Sequence, residues 1–280
     1  MKRAVLFGAG QIGSMIARLV GSDFCILCFI DNSPSKWGKT HLGIPIECPD
    51  KIKNLHPDAV LLCVLDKERS LAMTQQLHSL GFSGSIILPD ALQIFDPRIA
   101  TMRLLAEQIN QEQIPGDIAE LGVFRGEFAS LISAAFPNRR FHLFDTFCGF
   151  SDSDIAIEQA GHYSRAQTGD FADTSVELVR KRLPYPSNAI FYQGFFPDTF
   201  QNCHAECFCF VSVDADLYAP TAAALPLFWE RLSPGGVLMI HDVNSTHFTG
   251  AGKAVREFCR EKGILSIPVC DLHGSVLLRK

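Results

Sequence analysis

The chain has 280 residues, 47% hydrophobic and 20% charged, with 25 basic against 30 acidic side chains and a formal net charge of −5. This is an ordinary globular composition, long enough for two domains at roughly 100 to 200 residues each, and it excludes disorder, collagen and small disulfide scaffolds. The acidic excess lies behind a near-neutral front third, which argues against a nucleic-acid binder, and apolar runs such as 24–30 and 60–65 fall far short of the about 20 residues of a membrane span.

Lys2-Arg3 and the short apolar run Ala4 to Phe7 are cut off by glycines, so the start reads as a cytoplasmic strand rather than a signal peptide. A helix over 11–20 and a strand over Phe24 to Ile30 follow. Cys25 and Cys28 fall within that strand, where side chains alternate faces. Ten cysteines without a secretion signal predict free thiols in a reducing compartment. A strand over Ala59 to Val64, a helix over Ser70 to Leu80 and a strand over Ile86 to Leu88 complete a parallel-sheet alternation, giving a Rossmann-like unit over 1–95. Ile99, Met102, Leu105 and Ile109 recur near helical spacing until Pro115-Gly116, which predicts a connecting helix over 96–116.

From Asp117 the alternation restarts. Strands are expected over Ile118 to Leu121, Phe141 to Phe144, Ile190 to Tyr192, Cys207 to Val213 and Val237 to Ile240. Helices are expected up to Ala135, over Thr221 to Leu232 and over Ala254 to Lys262, with a turn at Ser233-Pro234-Gly235-Gly236 and closing strands near Leu265 to Ile267 and Val276 to Leu278. Residues 148–189 follow neither period and predict a helical lid. The expected fold is α/β, with two doubly wound Rossmann-like units in series, the second over 117–280.

Gly8-Ala9-Gly10-Gln11-Ile12-Gly13 fits GxGxxG between a strand and a helix, where glycines permit the tight turn, the close approach of a phosphate and strand-helix packing. Asp31 ends the second strand, where a carboxylate accepts ribose hydroxyls. The expected ligand is a nucleotide or NAD; the alternative is a ligand-free Rossmann domain in which the glycines serve packing. Phe29-Ile30-Asp31-Asn32, Gly43-Ile44-Pro45-Ile46 and Pro57-Asp58-Ala59-Val60 resemble the nucleotide-sugar-binding Rossmann domains attached to bacterial polysaccharide enzymes.

In the second unit, Glu120-Leu121-Gly122-Val123-Phe124-Arg125-Gly126 places a carboxylate at a strand end before a glycine turn, which suits a ligand bearing an ammonium and a sulfonium better than a pyrophosphate. Asp145 ends the next strand, in position for ribose hydroxyls. Together with Phe144-Asp145-Thr146-Phe147-Cys148-Gly149-Phe150, Gly194-Phe195-Phe196-Pro197-Asp198-Thr199-Phe200, Val213-Asp214-Ala215-Asp216-Leu217-Tyr218-Ala219-Pro220-Thr221, Leu232-Ser233-Pro234-Gly235-Gly236, His241-Asp242 and Arg279-Lys280, these motifs resemble the TylF-type (macrocin) O-methyltransferase family over roughly 115–280.

The resemblance implies a class I methyltransferase fold and S-adenosylmethionine as methyl donor. It implies that Glu120, Gly122 and Gly126 line the methionine end, that Asp145 and Thr146 hold the ribose, and that Gln193-Gly194 lies near the adenine. It further implies divalent-metal-assisted methylation of a sugar hydroxyl, with Asp214, His241 and Asp242 as ligands and Asp216 as general base. The chemistry agrees, because an alcohol becomes a nucleophile when a cation lowers its pKa and a carboxylate takes its proton. The family has two consecutive Asp where this chain has His241-Asp242, and histidine favours manganese, iron or zinc over magnesium. His241 as a base, a substrate contact or a hydrogen-bonded strand end stays open.

Cys203, His204, Cys207 and Cys209 lack a second half with zinc spacing and read as core or strand. Asp198-Thr199 reads as a helix cap, Tyr218 as a helix entry, His162 and Tyr163 as lid residues, and Arg125 as a partner of Glu120 or of another carboxylate. The overall expectation is a cytoplasmic sugar O-methyltransferase of surface-glycan biosynthesis, a candidate homo-oligomer. An NAD-dependent oxidoreductase or epimerase, and a non-catalytic nucleotide-sensing scaffold, are the alternatives.

Overall fold

The computed structural model describes residues 2–20, 24–89, 96–245, 247–271 and 274–280. The chain divides into two compact units, 1–100 and 101–280.

In the front unit, β1 (Lys2–Phe7), β2 (Phe24–Ile30), β4 (Ile44–Glu47), β5 (Ala59–Leu62) and β6 (Ser85–Ile87) are parallel, and β3 (Thr40–His41) pairs antiparallel with β4. The sheet order is β3-β4-β2-β1-β5-β6. Helix α1 (Gln11–Val20) follows β1, α2 (Ile52–Leu55) is a single turn, and α3 (Lys67–Ser79) begins three residues before the expected start because Asp66 caps it through Arg69 N–H. The β3–β4 hairpin was not expected. Its two-residue turn puts Leu42 at φ 54° and Gly43 at φ 74°, a left-handed pair that Leu-Gly, unlike Asn-Gly, does not advertise.

Helix α4 (Pro97–Gln111) spans the division at residue 100, and its Met102, Ala106 and Ile109 join the same core of the second unit as Phe136, Phe141 and Phe210. The strands β7 (Asp117–Leu121), β8 (Phe141–Asp145), β9 (Ala189–Gln193), β10 (Phe208–Val213) and β11 (Leu232–Ile240) are parallel. Strand β13 (Val276–Arg279) runs antiparallel to β11, and β12 (Ile267–Pro268) antiparallel to β13. The order β12-β13-β11-β10-β7-β8-β9 reverses direction between β7 and β10, the switch point where open α/β sheets place ligands at the C-terminal strand ends. Every residue of β10 is buried, as a central parallel strand covered on both faces requires.

Helices α5 (Glu127–Ala135), α6 (Asp152–Gly161), α7 (Val176–Arg182), α8 (Tyr218–Arg231) and α9 (Thr249–Lys262) complete the unit, with α6 and α7 inside the expected lid. Phe144, Tyr192, Phe196, Phe200 and Phe228 form one aromatic cluster on the sheet, the Phe144 and Tyr192 rings stacked at 4.5 Å. Several boundaries differ from expectation. The Ser233 to Gly236 turn is a bulge inside β11, where Phe208 pairs with Leu232 but Phe210 pairs with Val237 and Gly235 takes φ 83°. The strand expected at Leu265 to Ile267 is β12, displaced toward the C-terminus. Asp198 is not a cap: it is the first residue of a short 3-10 turn whose flanking Pro197 makes no side-chain cap.

Candidate functional site

The site is assembled by strand register. Leu121 on β7, Val213 on β10 and Ile240 on β11 are aligned neighbours. Backbone bonds continue one step further: Asp214 N–H donates to Leu121 O at 2.8 Å and His241 N–H to Val213 O at 2.9 Å. Gly122, Asp214 and His241 therefore emerge side by side. Gly122 has φ 83°, and a Cβ there would overlap the Asp214 carbonyl. Only glycine lets the two turns touch.

Asp214, His241 and Asp242 bring one ligand atom each within 4.8 Å of the others. His241 Nδ1 bridges the two carboxylates, 2.9 Å from Asp214 Oδ1 and 2.7 Å from Asp242 Oδ2. Asp216 hydrogen-bonds Asp242, and burial together with the charges of Asp214 and Asp242 holds its carboxyl well above the ordinary carboxylate range. Asp216 and Asp242 both have left-handed backbones, φ 57° and 56°, a strain of roughly 1 to 3 kcal/mol each that proteins concentrate at functional positions. One imidazole and two carboxylates at this separation are a donor set that fits a divalent cation, with the histidine favouring manganese or zinc.

The glycine turn beside this cluster is fixed by Asp145. Its Oδ2 accepts N–H bonds from Val123 at 2.7 Å and Phe124 at 2.9 Å, and its Oδ1 accepts from Phe147 at 2.6 Å. Thr146 Oγ1 donates to Gly149 O at 2.8 Å and so shapes its own turn. Gln193 is the register partner of Asp145, and Gly194 N–H donates to Asp145 O at 3.0 Å, which sets the Gln193-Gly194 turn beside the carboxylate. Glu120 is 1% exposed within β7, beneath the turn. Gly126, at φ 79°, packs against Val179 of α7.

Residues of the 148–189 insertion tie to both sides of this region, which the sequence did not reveal. Arg125 pairs with Asp173, not with Glu120, and Thr174 Oγ1 donates to Phe124 O. On the other side Glu158 Oε1 accepts Tyr218 N–H at 2.6 Å, and Lys253 Nζ donates to Tyr163 Oη at 2.6 Å. The only sequence sign of Glu158 is its spacing from Asp154 and Ile155 on the one buried face of α6. His162 is the left-handed cap that ends α6.

The front glycine turn repeats the device. Gly8 takes φ 116°, a Cβ on Gly13 would overlap the Gly8 carbonyl, and nothing lies within 4 Å of a Cβ on Gly10, leaving that side open. Asp31 Oδ2 accepts Ala9 N–H at 2.8 Å and Lys36 Nζ at 2.8 Å, and Oδ1 accepts Ser33 N–H at 2.9 Å. Burial opposes its ionisation, but Lys36 and the two amides outweigh this and hold the carboxyl below its usual value.

All ten cysteines are free thiols. Among the described residues no helix is long and apolar enough to cross a membrane.

The chain is similar to several known proteins. The 8-demethyl-8-(2,3-dimethoxy-alpha-L-rhamnosyl)-tetracenomycin-C 4'-O-methyltransferase of Streptomyces olivaceus is 25% identical over 189 residues, covering 64% of this chain and 70% of that one. The mycinamicin III 3''-O-methyltransferase of Micromonospora griseorubida is 27% identical over 157 residues, covering 52% of this chain and 62% of that one, so less than two thirds of that relative is spanned. The solved O-methyltransferase NovP shares the fold at a TM-score of 0.55 and 20% identity, over 66% of this chain and 79% of that one. Residues 1–88 match the C2185-like N-terminal family. Residues 92–277 match the macrocin-O-methyltransferase (TylF) family, and the chain belongs to that family.

Proposed function

We propose that this chain transfers the methyl group of S-adenosylmethionine to a sugar hydroxyl, on a nucleotide-sugar, a glycan or a glycosylated metabolite. The carrying observation is the in-register emergence of Gly122, Asp214 and His241-Asp242 at the switch point, with the Asp216 carboxyl beside them in contact with Asp242. A carboxylate in that place is positioned to accept the proton of an alcohol. The tetracenomycin relative is named for a rhamnosyl-bearing compound, which supports the acceptor class.

In the proposed reaction the hydroxyl proton passes to Asp216, the oxygen bonds to the methyl carbon and the carbon–sulfur bond breaks, releasing S-adenosylhomocysteine. Gly122 and Gly126 set the shape of the turn against Asp214 and Val179, Glu120 lies under the donor's methionine end, Asp145 and Thr146 shape the ribose side, and Gln193-Gly194 flank the adenine. Asp214, His241 and Asp242 would hold a divalent cation, magnesium or manganese, which lowers the pKa of a bound hydroxyl. Much of the remaining acceleration comes from orienting oxygen against methyl.

The front turn of Gly8, Gly10 and Gly13 with Asp31 is proposed as a nucleotide pocket. Asp31 already accepts three hydrogen bonds of the about four it can take, so one acceptor position serves a ribose hydroxyl. Ten free thiols suit a reducing, cytoplasmic setting.

The test is incubation with methyl-labelled S-adenosylmethionine, Mg2+ or Mn2+, and a panel of nucleotide-sugars and glycans, read by mass spectrometry. Label on a sugar oxygen is the expected result. Label on nitrogen or carbon, or on no sugar at all, contradicts the reading.

A further inference from the structure

The turn that carries Asp216 is anchored by the sheet on one side only. Asp214 N–H is bonded to β7, but Ala215 to Leu217 leave the sheet before α8 begins. Helix α8 has no cap of its own, since Leu217 in the cap position makes no side-chain bond. Its first amides need acceptors from elsewhere.

The lid supplies one. Glu158 on α6 is 0% exposed, and its Oε1 accepts Tyr218 N–H at 2.6 Å across 60 residues of sequence. Its Oε2 accepts Ser164 Oγ at 2.8 Å, so both carboxylate oxygens are held. A charged acceptor at the first amide of a helix also meets the positive end of its dipole. One turn earlier on α6, Ile155 packs with Ala166 on buried Leu217, which is 1% exposed. The start of α9 closes the third side: a Cβ on Gly250 would lie 2.7 Å from Glu158 Oε1 and 2.8 Å from Tyr218 N. That glycine makes room for the bond.

We propose that Glu158 is a positioning residue: by gripping Tyr218 N–H from the lid it fixes the far side of the Asp214–Tyr218 turn and sets Asp216 and Asp214 against His241 and Asp242. This rests on the proposed function for what the turn does, though not for how it is held. Phe124 and Arg125 in the glycine turn are held by other lid residues, Thr174 and Asp173. Gly122 meets the acidic turn at the Asp214 carbonyl, and the sheet holds Asp214 through Leu121 O, so loss of Glu158 loosens the far side from Ala215 to Tyr218 and leaves the Gly122 contact in place.

Three proteins test this, wild type, Glu158→Ala and Glu158→Gln, by amide hydrogen exchange of segment 214–221 and by separate calorimetric titrations with Mn2+ and S-adenosylhomocysteine. Glutamine keeps an acceptor oxygen for Tyr218 N–H. The expected result for Glu158→Ala is about tenfold faster exchange in the segment and about tenfold weaker Mn2+ binding, the loss of one buried charge-assisted hydrogen bond. S-adenosylhomocysteine affinity should stay within about twofold, and Glu158→Gln should restore exchange and Mn2+ binding.

Wild-type exchange in Glu158→Ala overturns the proposal. So does joint loss of Mn2+ and S-adenosylhomocysteine binding, or failure of Glu158→Gln to restore the segment, since either marks a general structural role. If wild type binds neither probe, the proposed function falls while the exchange comparison still decides the positioning role. Gly250→Ala, which presses on the same bond from α9, should reproduce the faster exchange; should Glu158→Ala fail to fold, an unchanged segment in Gly250→Ala overturns the proposal.

Discussion

Gly122 packs directly onto the backbone carbonyl of Asp214, so that the glycine turn after β7 and the acidic turn after β10 touch with no space for a methyl group. Gly122→Ala must displace one turn and also force an L-residue to φ 83°. The expected cost is about 2 to 4 kcal/mol, from strain and overpacking together. Denaturant melts and titrations check it: a variant as stable as wild type, with unchanged donor and Mn2+ binding, would show that the turns are independent.

Asp145 and Asp216 should separate binding from turnover. Asp145→Ala removes the acceptor of three N–H bonds that brace the glycine turn and the turn after β8, and is expected to weaken S-adenosylmethionine binding by at least about tenfold. Asp216→Ala should leave donor affinity near wild type and reduce turnover by about 100-fold or more. Equal donor affinity in wild type and Asp145→Ala refutes the ribose-side assignment, and full activity in Asp216→Ala refutes the base.

His241 is the residue that distinguishes this acidic cluster from a pure oxygen site. His241→Asp should move metal preference from manganese toward magnesium, and His241→Ala should weaken Mn2+ binding by about tenfold. Competition of the two ions followed by manganese paramagnetic resonance reads both. Identical preference in wild type and His241→Asp would take the imidazole out of the ligand set.

Asp31 gives the front unit a defined response to acid. Its carboxyl titrates below its unfolded value, so its contribution is complete above about pH 4 and is lost as pH falls through the lowered folded value. Asp31→Asn should therefore cost about 1 kcal/mol at pH 7, with the difference fading below about pH 4. A difference that grows on acidification has the wrong sign for this account.

The sequence announces the two α/β units through alternation, and the acidic cluster through Asp214, Asp216, His241 and Asp242, because strand ends and short motifs are local. It does not announce what depends on tertiary approach. Glu158 reads as one more helix carboxylate until α8 is seen to lack a cap. Arg125 has several carboxylates within reach by sequence, and only the path of the 148–189 insertion selects Asp173. The Pro-Gly-Gly segment looks like a turn, yet neighbouring strands capture it as a bulge in β11. Asp31 and Asp145 read as ribose acceptors, while the structure shows both already bracing the glycine turns beside them.

The most direct test of the central claim is calorimetric titration of S-adenosylmethionine into the purified protein without metal and with Mg2+ or Mn2+. Saturable binding at one site per chain is expected, lost or strongly weakened in Asp145→Ala. Absence of binding under every metal condition would contradict the claim.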